Sequence, residues 1–230
     1  MTSKSMSTLL KMHWINMRLS VYIYWAIMLV ISVISFTLML TVGNGDTQIN
    51  MGAITSVSIY MLVLNLVSVN ETFRYALGMN FRRKDFYGST VIIILLLVFG
   101  FGTLSTLLSM IEKPLAEALK VNVSLFGIMG DAELSSLDVF LLYIGCGLFL
   151  SVVGLFTSVI SYRFGKKGVL LMGAVALLLF IGVSVMSMEP IARFFASIGS
   201  VAEAMAWLML PTVLLLAGAY PLMMSMTTKE

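Results

Sequence analysis

Long apolar stretches separated by short polar segments are the dominant pattern of this chain. Six runs contain no Asp, Glu, Lys, Arg or His, and each is 19 to 23 residues long. A helix needs about 20 mostly apolar residues to cross the hydrocarbon core of a bilayer. The pattern therefore predicts an all-α, polytopic membrane protein in which residues 1–230 form one transmembrane domain. The six predicted spans are Ser20–Val42, Met51–Val69, Ser89–Met110, Val139–Ile160, Val169–Ser187 and Met205–Met226.

The composition supports this fold class. Apolar residues make up 60% of the chain and charged residues 11%, and the mean hydropathy is +1.03. A water-soluble domain carries about 25% charged residues, so a soluble fold is excluded. Cys146 is the only cysteine, which excludes a disulfide scaffold within the chain.

The charged residues predict the orientation. With both termini in the cytoplasm, the inside segments carry eleven basic and three acidic residues, a net charge of +8. The outside segments then carry three basic and eight acidic residues, a net charge of −5. Basic residues concentrate on the cytoplasmic side of membrane proteins. We therefore expect a multi-pass protein of a cytoplasmic membrane with cytoplasmic termini, and the basic excess indicates topology rather than nucleic-acid binding.

The segment before the first span has an amphipathic pattern. Lys4, Lys11 and Arg18 fall on one helical stripe, opposite Met6, Leu9, Leu10 and Met17. This predicts an interfacial helix at 5–18 whose basic stripe faces anionic lipid. The alternative is an extension of the first spanning helix. His13 is expected to be an interfacial side chain, because one histidine alone makes no metal site.

The segment between the second and third spans is the main candidate site. Glu71–Gly78 has helical spacing, Gly78 is placed to end a short helix, and Arg82, Arg83 and Lys84 begin the next one. We expect a compact helix that offers its aromatic residues to a cytoplasmic partner, the alternative being an ordinary basic loop in the headgroups. The candidate contact residues are Glu71, Phe73, Arg74, Tyr75, Leu77, Gly78, Met79, Arg82 and Arg83.

This segment and the N-terminal helix together resemble the permease subunit of type-2 bacterial ABC transporters. That family has an N-terminal interfacial elbow helix before six spans and a coupling helix between spans two and three. The resemblance implies that Glu71–Gly78 docks on a separate ATP-binding subunit and that Arg163, Lys166 and Lys167 make a secondary contact. ATP and Mg²⁺ would then bind the partner, and this chain would need no cofactor and no metal of its own.

Two external segments extend the pattern. Pro190 is suited to open a short helix, and an apolar face follows at helical spacing, formed by Ile191, Phe194, Phe195 and Ile198. This predicts either an external gate or a plain interfacial anchor, and the resemblance implies short external helices before the last span. Ser200 and Glu203 form a capping-box sequence that starts that span. The longer segment Ile111–Asp138 is a candidate lid whose role stays open.

The absence of ionisable side chains from the six predicted spans limits the possible functions. Ion-coupled transporters and intramembrane proteases place ionisable groups at membrane depth, and these spans hold none. We therefore expect a non-enzymatic subunit of an ATP-driven exporter. It would pair with a second copy or a similar permease to form a pathway for an amphipathic peptide or a lipid-like substrate. Two alternatives are a six-span substrate-binding subunit of a vitamin importer and a non-transport scaffold or sensor.

Overall fold

The computed structural model describes residues 3–42, 48–50, 52–119, 121–126, 134–165, 167–168, 170, 173–174 and 199–225. Within these residues the chain forms five long helices: α1 Ser3–Val42, α2 Ala53–Gly78, α3 Arg83–Leu119, α4 Ser136–Phe164 and α5 Val201–Met224. Two three-residue strands, β1 Gln48–Asn50 and β2 Asn122–Ser124, pair in parallel. All five helices are long and apolar enough to cross a bilayer, which is the architecture of a multi-pass membrane protein.

Three of the six predicted spans lie inside these helices, and two more, Met51–Val69 and Met205–Met226, extend two residues past the start of α2 and the end of α5. The predicted fifth span, Val169–Ser187, falls outside the described residues apart from the helical positions Leu170, Gly173 and Ala174. Six spans therefore stay a prediction. At the start of α5, the Ser200 hydroxyl accepts a hydrogen bond from the Glu203 amide at 3.2 Å. Ser200 thus caps α5 at the position that the sequence predicted.

The predicted separate interfacial helix at 5–18 is not confirmed. Helix α1 is continuous for 40 residues, because no Pro or Gly interrupts its backbone hydrogen bonds. Its first half packs on the bundle, and Leu9, His13 and Met17 are each at most 1% exposed. The expected interfacial position of His13 is therefore wrong. The finding agrees with the alternative of an extension of the first spanning helix.

Helix α4 is the centre of the bundle, and its most extensive contact is with α2. At their crossing, a side-chain carbon on Gly154 would fall on the carbonyl oxygen of Leu62. Only glycine lets the two backbones approach this closely, as in small-residue contacts of other membrane helices. Helix α5 packs mainly on α4, and α1 packs mainly on α3.

The bundle has two distinct ends. At the turn end, α2, α4 and α5 end and α3 begins, and Phe73, Phe86, Val159 and Met223 share one core cluster there. Leu9 joins the same cluster, so α1 starts at the turn end. At the strand end, Ala53 donates its amide to the carbonyl of Leu125 at 3.0 Å, beside the paired strands.

Candidate functional site at the turn end

The connection between α2 and α3 is a tight, fully hydrogen-bonded turn. The Asn80 amide donates to the Leu77 carbonyl at 3.0 Å and the Phe81 amide donates to the Ala76 carbonyl at 3.1 Å. Asn80 has a φ of 58°, so it is the residue in the left-handed conformation. These bonds form a Schellman motif, which satisfies the last carbonyls of α2.

Helix α2 ends at Gly78, as the sequence predicted, but the left-handed residue that closes it is Asn80, two positions later. Gly78 stays helical, and Asn80 takes the left-handed position because asparagine tolerates it better than most residues. The segment Glu71–Gly78 is also no separate helix, because it forms the last two turns of α2. The turn is consequently joined to both spanning helices without a flexible link.

Phe73 lies inside the bundle and does not face a partner. Its side chain is 2% exposed, and its ring packs edge-on against Phe86 at 5.1 Å and against Tyr162 at 4.9 Å. The expected exposure of Phe73 is therefore wrong. Its position joins α2, α3 and α4, since each of these helices contributes one of the three rings.

Tyr75 and Met79, in contrast, are exposed on the surface of the turn end. Tyr75 is 68% exposed and Met79 is 52% exposed. Arg74 and Arg82 are also exposed, and within the described residues Arg74 pairs with no carboxylate. Exposed aromatic, methionine and arginine side chains are the residue types that are enriched in protein interfaces.

An open recess of about 760 Å³ lies beside these residues, between the ends of α2 and α4. Its lining consists of Asn70, Arg74, Leu77, Gly78, Ser161, Tyr162 and Gly165. Gly165 ends α4 with a φ of 65°, a conformation that side-chain-bearing residues rarely adopt. The recess thus combines a cation, which pairs with no described carboxylate, with an aromatic wall and two glycines.

Two of the predicted contact residues have partners within the chain. The Arg83 guanidinium donates to the Met224 carbonyl, and that of Arg163 donates to the Ser225 hydroxyl, each at 2.8 Å. Both cations therefore lie at the C-terminal end of α5, where the free carbonyls of a helix favour positive charge. Their observed role is to hold the last helix onto α3 and α4.

The remaining predicted residues occupy different surroundings. The Glu71 carboxylate accepts a hydrogen bond from the Asn16 amide at 3.3 Å, which links α2 to α1. Leu77 packs against the core cluster, and Lys167 is exposed. Lys166 and the whole predicted external gate, Pro190, Ile191, Phe194, Phe195 and Ile198, lie outside the described residues.

A buried carboxylate at the strand end was missed by the sequence reasoning. Glu112 is 7% exposed, and its two oxygens accept the amides of Leu125 and Phe126, the latter at 2.9 Å. The Tyr143 hydroxyl donates to the Phe126 carbonyl at 2.9 Å. The signal was present: Glu112 follows Ser105 and Ser109 on the buried face of α3, at positions i+7 and i+3. Glu112 fastens residues 121–126 onto the bundle.

The described residues contain no group of three or more His, Cys, Asp or Glu that could hold a metal ion. Comparison with protein-family models, with curated proteins and with solved structures finds no significant match for this chain. The functional interpretation therefore depends on the geometry of the site.

Proposed function

We propose that this chain is the transmembrane subunit of an ATP-driven exporter of the type-2 ABC class, and that the turn end is its docking site for a separate ATP-binding subunit. ATP and Mg²⁺ bind that partner, which performs the hydrolysis. Two copies of this chain, or one copy and a similar permease, enclose the substrate pathway. The turn end faces the cytoplasm, in line with its basic charge.

One observation carries the proposal: a rigid turn that exposes Tyr75 and Met79 is continuous with two spanning helices. Its Schellman motif leaves the turn little freedom to bend. Movement of a partner bound at Tyr75 is therefore transmitted along α2. The ring contacts of Phe73 pass this movement on to α3 and α4. Coupling of ATP hydrolysis to transport needs such a mechanical connection between a surface and the membrane helices.

The recess supports the same proposal. Arg74 offers a charge-assisted contact to an acidic or carbonyl group of the partner. Tyr162 and Leu77 offer an apolar wall against which a partner side chain can pack. The exposed residues on the turn and the open volume beside them together form one continuous docking surface.

The substrate class follows from the composition of the spans. The chain holds 19 methionines and 14 phenylalanines, which give soft and adaptable apolar surfaces. We propose amphipathic peptides or lipid-like molecules as the substrates, because such surfaces can repack around ligands of different shape.

Site-specific photo-crosslinking tests the docking surface. A photoreactive phenylalanine analogue is placed at Tyr75 in the full chain, and crosslinked species from native membranes are identified by mass spectrometry. We expect a crosslinked protein with Walker-type ATP-binding motifs. The matched control is the same analogue at Leu137, which is 71% exposed and lies at the strand end, and it should give no such product.

Measurement of ATP hydrolysis provides a second test of the same docking surface. In proteoliposomes with the crosslinked ATPase, Tyr75→Ala with Met79→Ala should reduce substrate-stimulated ATP hydrolysis at least about tenfold, because loss of two interface anchors removes about 2 kcal/mol or more. Crosslinks to lipid alone, or ATP hydrolysis that the double variant leaves unchanged, would overturn the proposal.

A further inference from the structure

A second recess, away from the docking surface, lies between α1 and α3 near the turn end. It has a volume of about 360 Å³ and is open along one side. Its lining consists of Leu10, Lys11, Trp14, Ile93, Leu96 and Leu97. Ile93, Leu96 and Leu97 belong to an apolar run of α3, so this wall of the recess lies at membrane depth.

The polar lining of this recess, Lys11 and Trp14, belongs to a helix stripe that continues to Arg18 beyond the recess. Lys11, Trp14 and Arg18 follow one another at i, i+3 and i+7 on α1, and all three are exposed. No carboxylate lines the recess, and among the described residues neither Lys11 nor Arg18 forms a salt bridge. Within the described part of the chain, the stripe therefore presents two cations without a salt-bridge partner, and an indole lies between them.

Apolar side chains on α1 are exposed next to these cations. Ile15 is 51% exposed and Leu19 is 67% exposed, next to the stripe. The aliphatic parts of lysine and arginine lie along apolar surfaces while their charged groups reach the headgroups. The indole N–H of tryptophan donates hydrogen bonds at the same level of the bilayer.

We propose that this recess binds one anionic phospholipid. Its phosphate accepts from Lys11 and Trp14, Arg18 adds positive charge one turn further along α1, and one acyl chain lies along Ile93, Leu96 and Leu97. The occupant must be negatively charged at one end and apolar over the rest of its length, which is the chemistry of a phospholipid with an acidic headgroup. This site is independent of the docking surface, so it stands whether or not an ATPase binds at Tyr75.

Fluorescence quenching tests the proposal directly. The chain holds three tryptophans, and Trp25→Phe with Trp207→Phe leaves Trp14 as the only one. This variant is reconstituted in phosphatidylcholine with increasing fractions of brominated phosphatidylglycerol or of brominated phosphatidylcholine. We expect half-maximal quenching at an at least about fivefold lower fraction of the anionic lipid, since one cation near an anionic surface contributes about that factor.

Charge variants distinguish lipid binding in the recess from a general attraction of anionic lipid to the basic end of the bundle. Lys11→Gln with Arg18→Gln should make the two brominated lipids equally effective. The matched control, Arg74→Gln with Arg82→Gln, removes two exposed cations at the same end of the bundle and should keep the preference. Equal quenching in the parent, an unchanged preference in the first double variant, or loss of the preference in both double variants would each overturn the proposal.

Native mass spectrometry of the otherwise unmodified chain provides a second readout that needs no tryptophan substitution. After exchange into mild detergent, the chain should retain bound phosphatidylglycerol, and Lys11→Gln with Arg18→Gln should lose it. Equal retention by both proteins would contradict the assignment. Displacement of the lipid by an anionic amphipathic peptide would assign the recess to a substrate, and would also overturn the lipid assignment.

Discussion

At the scale of single residues, two neighbours in α2 have opposite surroundings. Phe73 is packed between two aromatic rings, whereas Tyr75 projects outward from the turn end. A loss of transport caused by Phe73→Ala would therefore be ambiguous, because the fold itself would suffer. Tyr75 is the residue that can separate partner binding from stability.

We expect Phe73→Ala to lower the free energy of unfolding by about 3–5 kcal/mol, since it leaves a cavity in the core cluster. Tyr75→Ala should change it by less than about 0.5 kcal/mol, as is usual for surface substitutions. Denaturation of the purified protein in mixed micelles measures both values. A comparable loss in the two variants would show that Tyr75 is also part of the packed core.

Gly154 gives a second residue-scale prediction. Gly154→Ala should lower the free energy of unfolding by about 1–3 kcal/mol, because the added methyl group forces α2 and α4 apart. Gly100→Ala in α3 is the matched control, since nothing lies within 4 Å of the added atom. Thermal melting in detergent compares the two. An unchanged Gly154→Ala protein would mean that the crossing adjusts without cost.

At the scale of elements, the helix boundaries depend on a few backbone and side-chain contacts. The segment 121–126 is held to α3 by Glu112, to α4 by Tyr143 and to the start of α2 by Ala53. Backbone amides in such a loop need acceptors once they are buried. Glu112 supplies two of them, which explains why a carboxylate is retained in a buried position.

Glu112→Gln should weaken this attachment by about 1–3 kcal/mol, because the amide group replaces one acceptor oxygen with a donor. Hydrogen–deuterium exchange should show faster exchange at Leu125 and Phe126. Glu117→Gln provides the control, since Glu117 is exposed on the same helix. Identical exchange in the two variants would argue that Tyr143 and Ala53 hold the segment without Glu112.

The existence of the elements was predictable from the sequence, but their contacts were not. Apolar runs mark a spanning helix whatever its neighbours are, and five of the six predicted spans overlap described helices. Which side of a helix is buried depends on tertiary packing, so Phe73 and His13 were placed on the wrong surface. The spacing of Leu9, His13, Met17 and Val21 by four residues was the available signal for α1.

At the scale of the whole molecule, the two ends of the bundle differ in the sign of their charge. Near the turn end, the basic residues Arg74, Arg82, Arg83, Lys84 and Arg163 outnumber the acidic Glu71 and Asp85. At the strand end, the acidic residues Glu112, Glu117, Asp138 and Glu203 outnumber the basic Lys113. The sequence predicted this separation because hydropathy and charge are additive along the chain. It could not predict that Arg83 and Arg163 bind the end of α5, since those contacts join residues far apart in sequence.

Cysteine labelling tests the orientation. In a Cys146→Ser background, Met79→Cys should stay unlabelled by a membrane-impermeant maleimide in intact cells and become labelled after lysis. Leu137→Cys, at the opposite end, should be labelled in intact cells, which makes it the positive control. Labelling of both positions before lysis, or of Met79→Cys alone, would contradict cytoplasmic placement of the turn end.

The paired strands have a mechanical consequence for the molecule. Strand β1 lies in the connection from α1 to α2, and β2 lies in the connection from α3 to α4, so three residues of each fasten the two helical hairpins together at one end. At the other end, the hydrogen-bonded turn from α2 to α3 joins the same two hairpins through the main chain. Because the two hairpins are fastened at both ends, a force on the turn displaces α1 to α4 together and does not open one hairpin away from the other.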